Sequence, residues 1–207
     1  VKDVIHQLQR ERGISNIFLA SGGERFEQQR LQQIEDSNQV EQNLRSLLKS
    51  LYMSGDESAA NMRLLVSISM ALQGLDNLSS LREKIGVQDL TSLESTQAYC
   101  RLISGLLSVI FEAADVASDP DITRQLVALF NFLQGKEFSG QERAWGAIGF
   151  AETHFSVGLC DKLHHLQEAQ QHSFDVFSAF AEKHANQQWK TIESSQTQAD
   201  LERLRAM

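Results

Sequence analysis

Apolar residues recur along this chain at intervals of three and four and almost nowhere alternate, so the pattern predicts a succession of helices. Over positions 1–20, Val1, Val4, Ile5, Leu8, Ser15, Phe18 and Leu19 share one stripe at about 100° per residue, and Arg12 lies inside it. Ser21-Gly22-Gly23 is a stop. A second helix is predicted over 24–53 on Phe26, Leu31, Ile34, Val40, Leu44, Leu47, Leu48 and Leu51, ended by Ser54-Gly55-Asp56. A third, over 57–85, carries Met62, Leu65, Ile68, Leu72, Leu75 and Leu78 and is expected to bend near Gly74. Thr91-Ser92-Leu93-Glu94 reads as a capping box opening a helix over 91–116. Ser118-Asp119-Pro120-Asp121 then supplies a cap, a proline at the first helical position and an acidic first turn.

That helix is predicted to end at Leu133, with 135–138 as a link. Ser139-Gly140-Gln141-Glu142 reads as a further capping box, placing Arg143 in the first turn of a helix reaching Gly158. Ala144, Ile148, Ala151 and Phe155 line one side of it and Ala147, Phe150, His154 and Val157 continue the arginine's side, so it is expected to be buried all round. Helices over 160–186 and 188–206 follow, with Phe174, Phe177, Phe180 and Trp189 as core residues. About eight helices with short links give an all-α fold that divides into two antiparallel four-helix bundles.

The two arginines carry the functional argument. A guanidinium aimed into a core needs a carboxylate, a wet cavity or a bound anion, because an unpaired buried charge costs several kcal/mol. For Arg12 the candidate carboxylates are Glu11 and Glu142. A helix start, where Arg143 is expected, itself favours anions through its free N–H groups.

Composition narrows the class. The chain has 207 residues, 42% of them apolar, enough for one packed domain or two small ones. Its net charge is −8 with no Lys/Arg block, which argues against direct contact with nucleic acid. No apolar run approaches the roughly 20 residues of a membrane span. Cys100 and Cys160 lie inside helical patterns, as buried thiols of a reducing compartment would. The helical pattern is uncapped at both ends, so the chain is expected to be a domain cut from a longer protein. Cys160, His164, Glu168 and His172 have the i, i+4 spacing of metal ligands, but a solvated polar face looks the same, and no metal or other cofactor is expected.

Leu8-Gln9-Arg10-Glu11-Arg12-Gly13 with Ile14-Ser15-Asn16, and Gly140-Gln141-Glu142-Arg143-Ala144, resemble the two signatures of the NIT domain, the nitrate- and nitrite-sensing module of bacterial regulators. The similarity covers essentially the whole chain. It implies a pair of four-helix bundles with the anion held where they meet, by residues matching Arg12 and Arg143. Arg10, about 160° around the wheel from Arg12, and Arg203 are further ligand candidates, as are Ser15 and His154. The resemblance also implies a C-terminal output module absent from this sequence, commonly an RNA-binding antiterminator, and a cytoplasmic protein that is a possible homodimer.

The chemistry agrees. Nitrate is a planar monoanion, and a guanidinium fork can donate two parallel hydrogen bonds to it, which a lysine cannot. No nucleophile–base pair or carboxylate dyad stands at a recognisable spacing, so an enzyme is not expected. The competing reading is a helical interaction module whose arginines are structural ion pairs.

Overall fold

The computed structural model describes residues 1–53, 59–151 and 154–205. Nine helices occur among them: α1 Lys2–Ala20, α2 Glu27–Met53, α3 Ala59–Asp76, α4 Leu78–Gly86, α5 Ser92–Val116, α6 Pro120–Ala151, α7 Val157–Phe180, α8 Lys183–Glu193 and α9 Gln196–Arg205. The fold is all-α.

The first bundle is closed: α1 packs on α2 and α5, α3 on α5 and α2, and α4 bridges α3 and α5. Ile5, Leu8, Ile68, Leu75, Ile85, Tyr99, Ile103 and Leu106 fill it, each no more than 2% exposed. Leu133 of α6 joins the same cluster, with Leu126, Leu129, Phe130 and Phe132 packed against it. The core therefore runs without interruption from the first bundle into the second group of helices. There α6 and α7 form a long hairpin, whose far end is held by Arg124, donating to the last carbonyls of α7 at Ala179 and Phe180 (3.1 Å each). Trp189 of α8 closes the hairpin, with ring centroids 4.2 Å from Phe174 and 6.1 Å from Phe132.

Several boundaries differ from the sequence reading. The third predicted helix breaks at Asn77 rather than bending at Gly74, and the last divides into α8 and α9. The Thr91–Glu94 capping box forms with both of its bonds, and Asp119 Oδ1 accepts from the backbone of Asp121 (2.8 Å) and Ile122 (3.4 Å). Ser54-Gly55-Asp56 falls outside the described residues.

The principal correction concerns α6. No link interrupts it at 135–138 and no capping box forms at Ser139. Ser139 Oγ instead donates to the carbonyl of Gly135 within the helix (3.0 Å), and Glu142 turns outward to other partners. A cap signature is a local preference worth about 1 kcal/mol, and continuous packing along α7 outweighs it. Gly135, read as a breaker, is where the Phe174 ring lies against the helix: an added Cβ would come 2.7 Å from Phe174 Cε1.

The C-terminal part of α6 is also not buried all round. Arg143, Ala147 and Phe150 are exposed. Length contributes for Ala147 and Phe150: α6 has 32 residues and its antiparallel neighbour α5 has 25, so roughly 10 Å at the end of α6 has no counterpart on α5. Phe180, expected in the core, is 40% exposed and lies under the Arg124 guanidinium.

Candidate functional site

Successive helical residues point about 100° apart, so Glu11 and Arg12 of α1, both buried, leave the helix in different directions. Glu11, 0% exposed, turns into the first bundle. It accepts from Arg82 Nε (2.7 Å) and Nη2 (2.9 Å) and from the Tyr99 hydroxyl (2.7 Å), and Arg82 also donates to Asn38 (2.7 Å). Burial, reinforced by Glu11, pushes the Tyr99 phenol well above its ordinary pKa.

Arg12, 2% exposed, turns instead toward α6. Its carboxylate is neither Glu11 nor Glu142 but Glu137, itself 2% exposed, to which Nη1 donates. Nη1 also donates to Cys100 Sγ of α5 at 3.0 Å. Glu137 is further held by Gln9 Nε2 and Gln141 Nε2, each at 2.9 Å. Burial works against the charge on Arg12, but Glu137 and Cys100 outweigh it and hold the pKa above the usual guanidinium value. Burial likewise raises the Cys100 thiol to about 11, against the opposing pull of Arg12.

The second arm of the Arg12 guanidinium explains a glycine. Nη2 lies 2.5 Å from where a Cβ on Gly140 would stand, so any other residue there would force the guanidinium, held by Glu137, to shift. One turn further along α6, Arg143 reaches back across the seam, and its Nη2 lies 3.8 Å from where a Cβ on Gly13 would stand. Each motif's arginine thus lies over the other motif's glycine. Arg143 has no carboxylate partner among the described residues.

Residues 3–207 match the NIT family, described as nitrate and nitrite sensing. The chain belongs to this family. The NIT chain is 36% identical to the nitrate regulatory protein of Klebsiella oxytoca over 208 residues, covering 99% of this chain and 50% of that protein. Its fold matches the solved structure of the NasR transcription antiterminator with a TM-score of 0.87 at 33% identity, covering 99% of this chain and 54% of that one. It spans about half the length of both relatives. The family is a sensing one rather than a family of enzymes.

Within the NIT fold the remaining candidates lie in varied surroundings. Arg10 is exposed. Arg203 has a side chain 76% exposed and pairs with Asp200 (3.4 Å) inside α9. Ser15 is 1% exposed, and its neighbour Asn16 donates to Thr96 Oγ1 (2.7 Å), a helix-packing contact. His154, beyond the end of α6, is exposed, and its backbone N–H donates to Gly149 (3.2 Å). Trp145 is half-buried. Among the described residues no His, Cys, Asp and Glu group is arranged to hold a metal ion, and no helix is long and apolar enough to cross a membrane.

Three residues around the two motifs escaped the sequence reading. Glu137 lay in the supposed link, although its i, i+4 spacing to Gln141 on a continuous helix was a signal. Cys100 was read only as a buried thiol. Arg205, not Arg203, is the α9 arginine that reaches α6: Nε and Nη2 donate to the two oxygens of Glu142 at 2.8 and 2.6 Å, and Nη2 to Gln170 at 2.7 Å. Gln167 also donates to Glu142 (3.0 Å). Although burial opposes it, these bonds hold the Glu142 carboxyl below its ordinary pKa.

Proposed function

We propose that nitrate or nitrite binds at the seam between α1 and α6, held by Arg12 and Arg143, and that occupancy is relayed through Glu142 and Arg205 to whatever follows α9. The observation that carries this reading is the crossed arrangement, each arginine over the other motif's glycine, from helices in different halves of the molecule. Two guanidiniums converge there and Arg143 has no carboxylate partner among the described residues. A planar monoanion accepting from both would bridge the two helices and draw α1 and α6 together. Sensing at micromolar levels requires about 6–8 kcal/mol of binding free energy, of which a full switch between states would use about 5.5.

The relay follows from adjacency. Glu142 is the neighbour of Arg143 and is bonded to Arg205 at the end of α9, so a shift of α6 at the site moves the attachment of the last helix. By analogy with the antiterminator relative, the output is an RNA-binding module in a cytoplasmic, homodimeric protein, and this segment itself makes no nucleic-acid contact.

A second reading has its own observation. The Arg12–Glu137 pair satisfies the buried guanidinium without any ligand, as an interaction module with structural ion pairs would require. Arg143 separates the two, because its exposed side chain holds no structural partner among the described residues. Thermal unfolding titrated with sodium nitrate, against chloride and sulfate at matched ionic strength, is the test. A saturable nitrate-specific rise in melting temperature that Arg143→Ala abolishes supports the sensor site. If nitrate does no more than chloride, the ion-pair reading stands.

A further inference from the structure

Two of the carboxylates around the two motifs are matched away from the seam. Glu11 is matched by Arg82, and Glu142 by Arg205. Lys136, next to Glu137 in sequence, turns to His6, with Nζ 2.8 Å from Nδ1. The imidazole does not cancel the charge of Lys136, which lies in the field of Glu137. Arg12, Arg143 and Glu137 by themselves sum to one positive charge, and Lys136 adds to it. Glu137 is fixed in place, taking Arg12 Nη1 and Gln141 on Oε1 and Gln9 on Oε2. Because Nη1 is engaged by Glu137 and Cys100, the arm of Arg12 against Gly140 is Nη2.

Resting on the nitrate-site reading above, we propose that Glu137 is a specificity-determining residue: it cancels one of the two arginine charges and so fits the site to singly charged oxyanions over doubly charged ones. The physical basis is that the energy of a ligand in the field of the site scales with the ligand's charge. Removing one fixed negative charge strengthens the hold on any anion, but a dianion gains twice what a monoanion gains. The ratio of sulfate to nitrate affinity then rises by the same factor as nitrate affinity itself. Shape discrimination between a planar and a tetrahedral ion is nearly unchanged when Glu137 becomes its isostere, so the change in that ratio reports charge.

The test is calorimetric titration of the chain with sodium nitrate and with sodium sulfate at matched ionic strength. Wild type, Glu137→Gln, Glu137→Asp and Gln141→Lys are compared. Wild type is expected to bind nitrate and discriminate against sulfate. Glu137→Gln should raise the sulfate-to-nitrate ratio by about tenfold or more. Glu137→Asp, which retains the charge, should retain the wild-type ratio. Gln141→Lys adds one positive charge at a half-buried position with Glu137 in place and should move the ratio in the same direction as Glu137→Gln, so it decides the matter if Glu137→Gln does not fold. Absence of nitrate binding by wild type would overturn the site itself. Nitrate binding by wild type with an unaltered ratio in the charge-changing variants would overturn the role of Glu137 alone.

Discussion

Arg12 and Arg143 make unequal test positions, because one is enclosed against Glu137 and the other stands at the surface. Arg12→Ala strands a buried carboxylate, and such losses cost about 3–5 kcal/mol, so the variant should unfold at markedly lower urea concentration whatever the ligand does. Arg143→Ala should leave unfolding in the absence of nitrate within about 0.5 kcal/mol of wild type, as surface substitutions do. The glycines permit a sharper comparison. Gly146 has nothing within 4 Å of an added Cβ, so Gly146→Ala should stabilise α6 by up to about 1 kcal/mol, the propensity difference in a helix. Gly140→Ala enjoys the same propensity gain yet drives a Cβ to 2.5 Å from Arg12 Nη2. It should be the less stable of the two in urea unfolding and should lose most of the nitrate response, whereas Gly146→Ala keeps it. Equal behaviour of the two variants would mean that the close approach of Arg12 is unimportant.

At the scale of elements, α9 is held to α6 and α7 by a charged latch, and its pH dependence has a definite sign. Glu142 has a depressed pKa in the folded state, so its contribution is fully present above the ordinary carboxylate range and is lost as pH falls through the depressed value. The protection of the α9 amides, taken relative to their intrinsic exchange rate at each pH, should therefore be high at neutral pH and fall on acidification. Glu142→Gln and Arg205→Ala should each remove that dependence while leaving the first bundle protected. Unchanged α9 protection in both variants would sink the latch. The hairpin of α6 and α7 is the stiffer element, because Phe132, Phe174, Phe177 and Trp189 interlock across it and the Phe174 ring occupies the space over Gly135.

For the whole molecule, a core that continues from Val4 and Leu8 through Tyr99 to Leu133 ties the two halves into one cooperative unit. Unfolding should be a single transition. A ligand that binds only the folded form raises stability by about 2.7 kcal/mol at a hundred times its dissociation constant, so saturating nitrate should shift the entire transition rather than one half of it. A biphasic melt in which nitrate moves only one phase would contradict this. Arg143 is open to solvent, so chloride should weaken nitrate binding as ionic strength rises.

The sequence by itself determined the all-α class, most of the helical segments, the Thr91–Glu94 box and the anomaly of Arg12 inside an apolar stripe, whereas Leu31, Leu47, Met62 and Phe180, assigned to core faces by the same periodicity, are exposed. Such signals are local, and local chemistry writes them directly. The spacing of Ser139 to Glu142 satisfied the same local rule and misled, because the competing interactions came from α7 and α9, distant in the chain. Only the tertiary structure decided that Arg12 is matched by Glu137, that Gly140 makes room for its guanidinium, and that Arg143 lies over Gly13. Those are consequences of how long helices lie beside one another, and a one-dimensional pattern fixes the faces that pack without fixing which residue meets which.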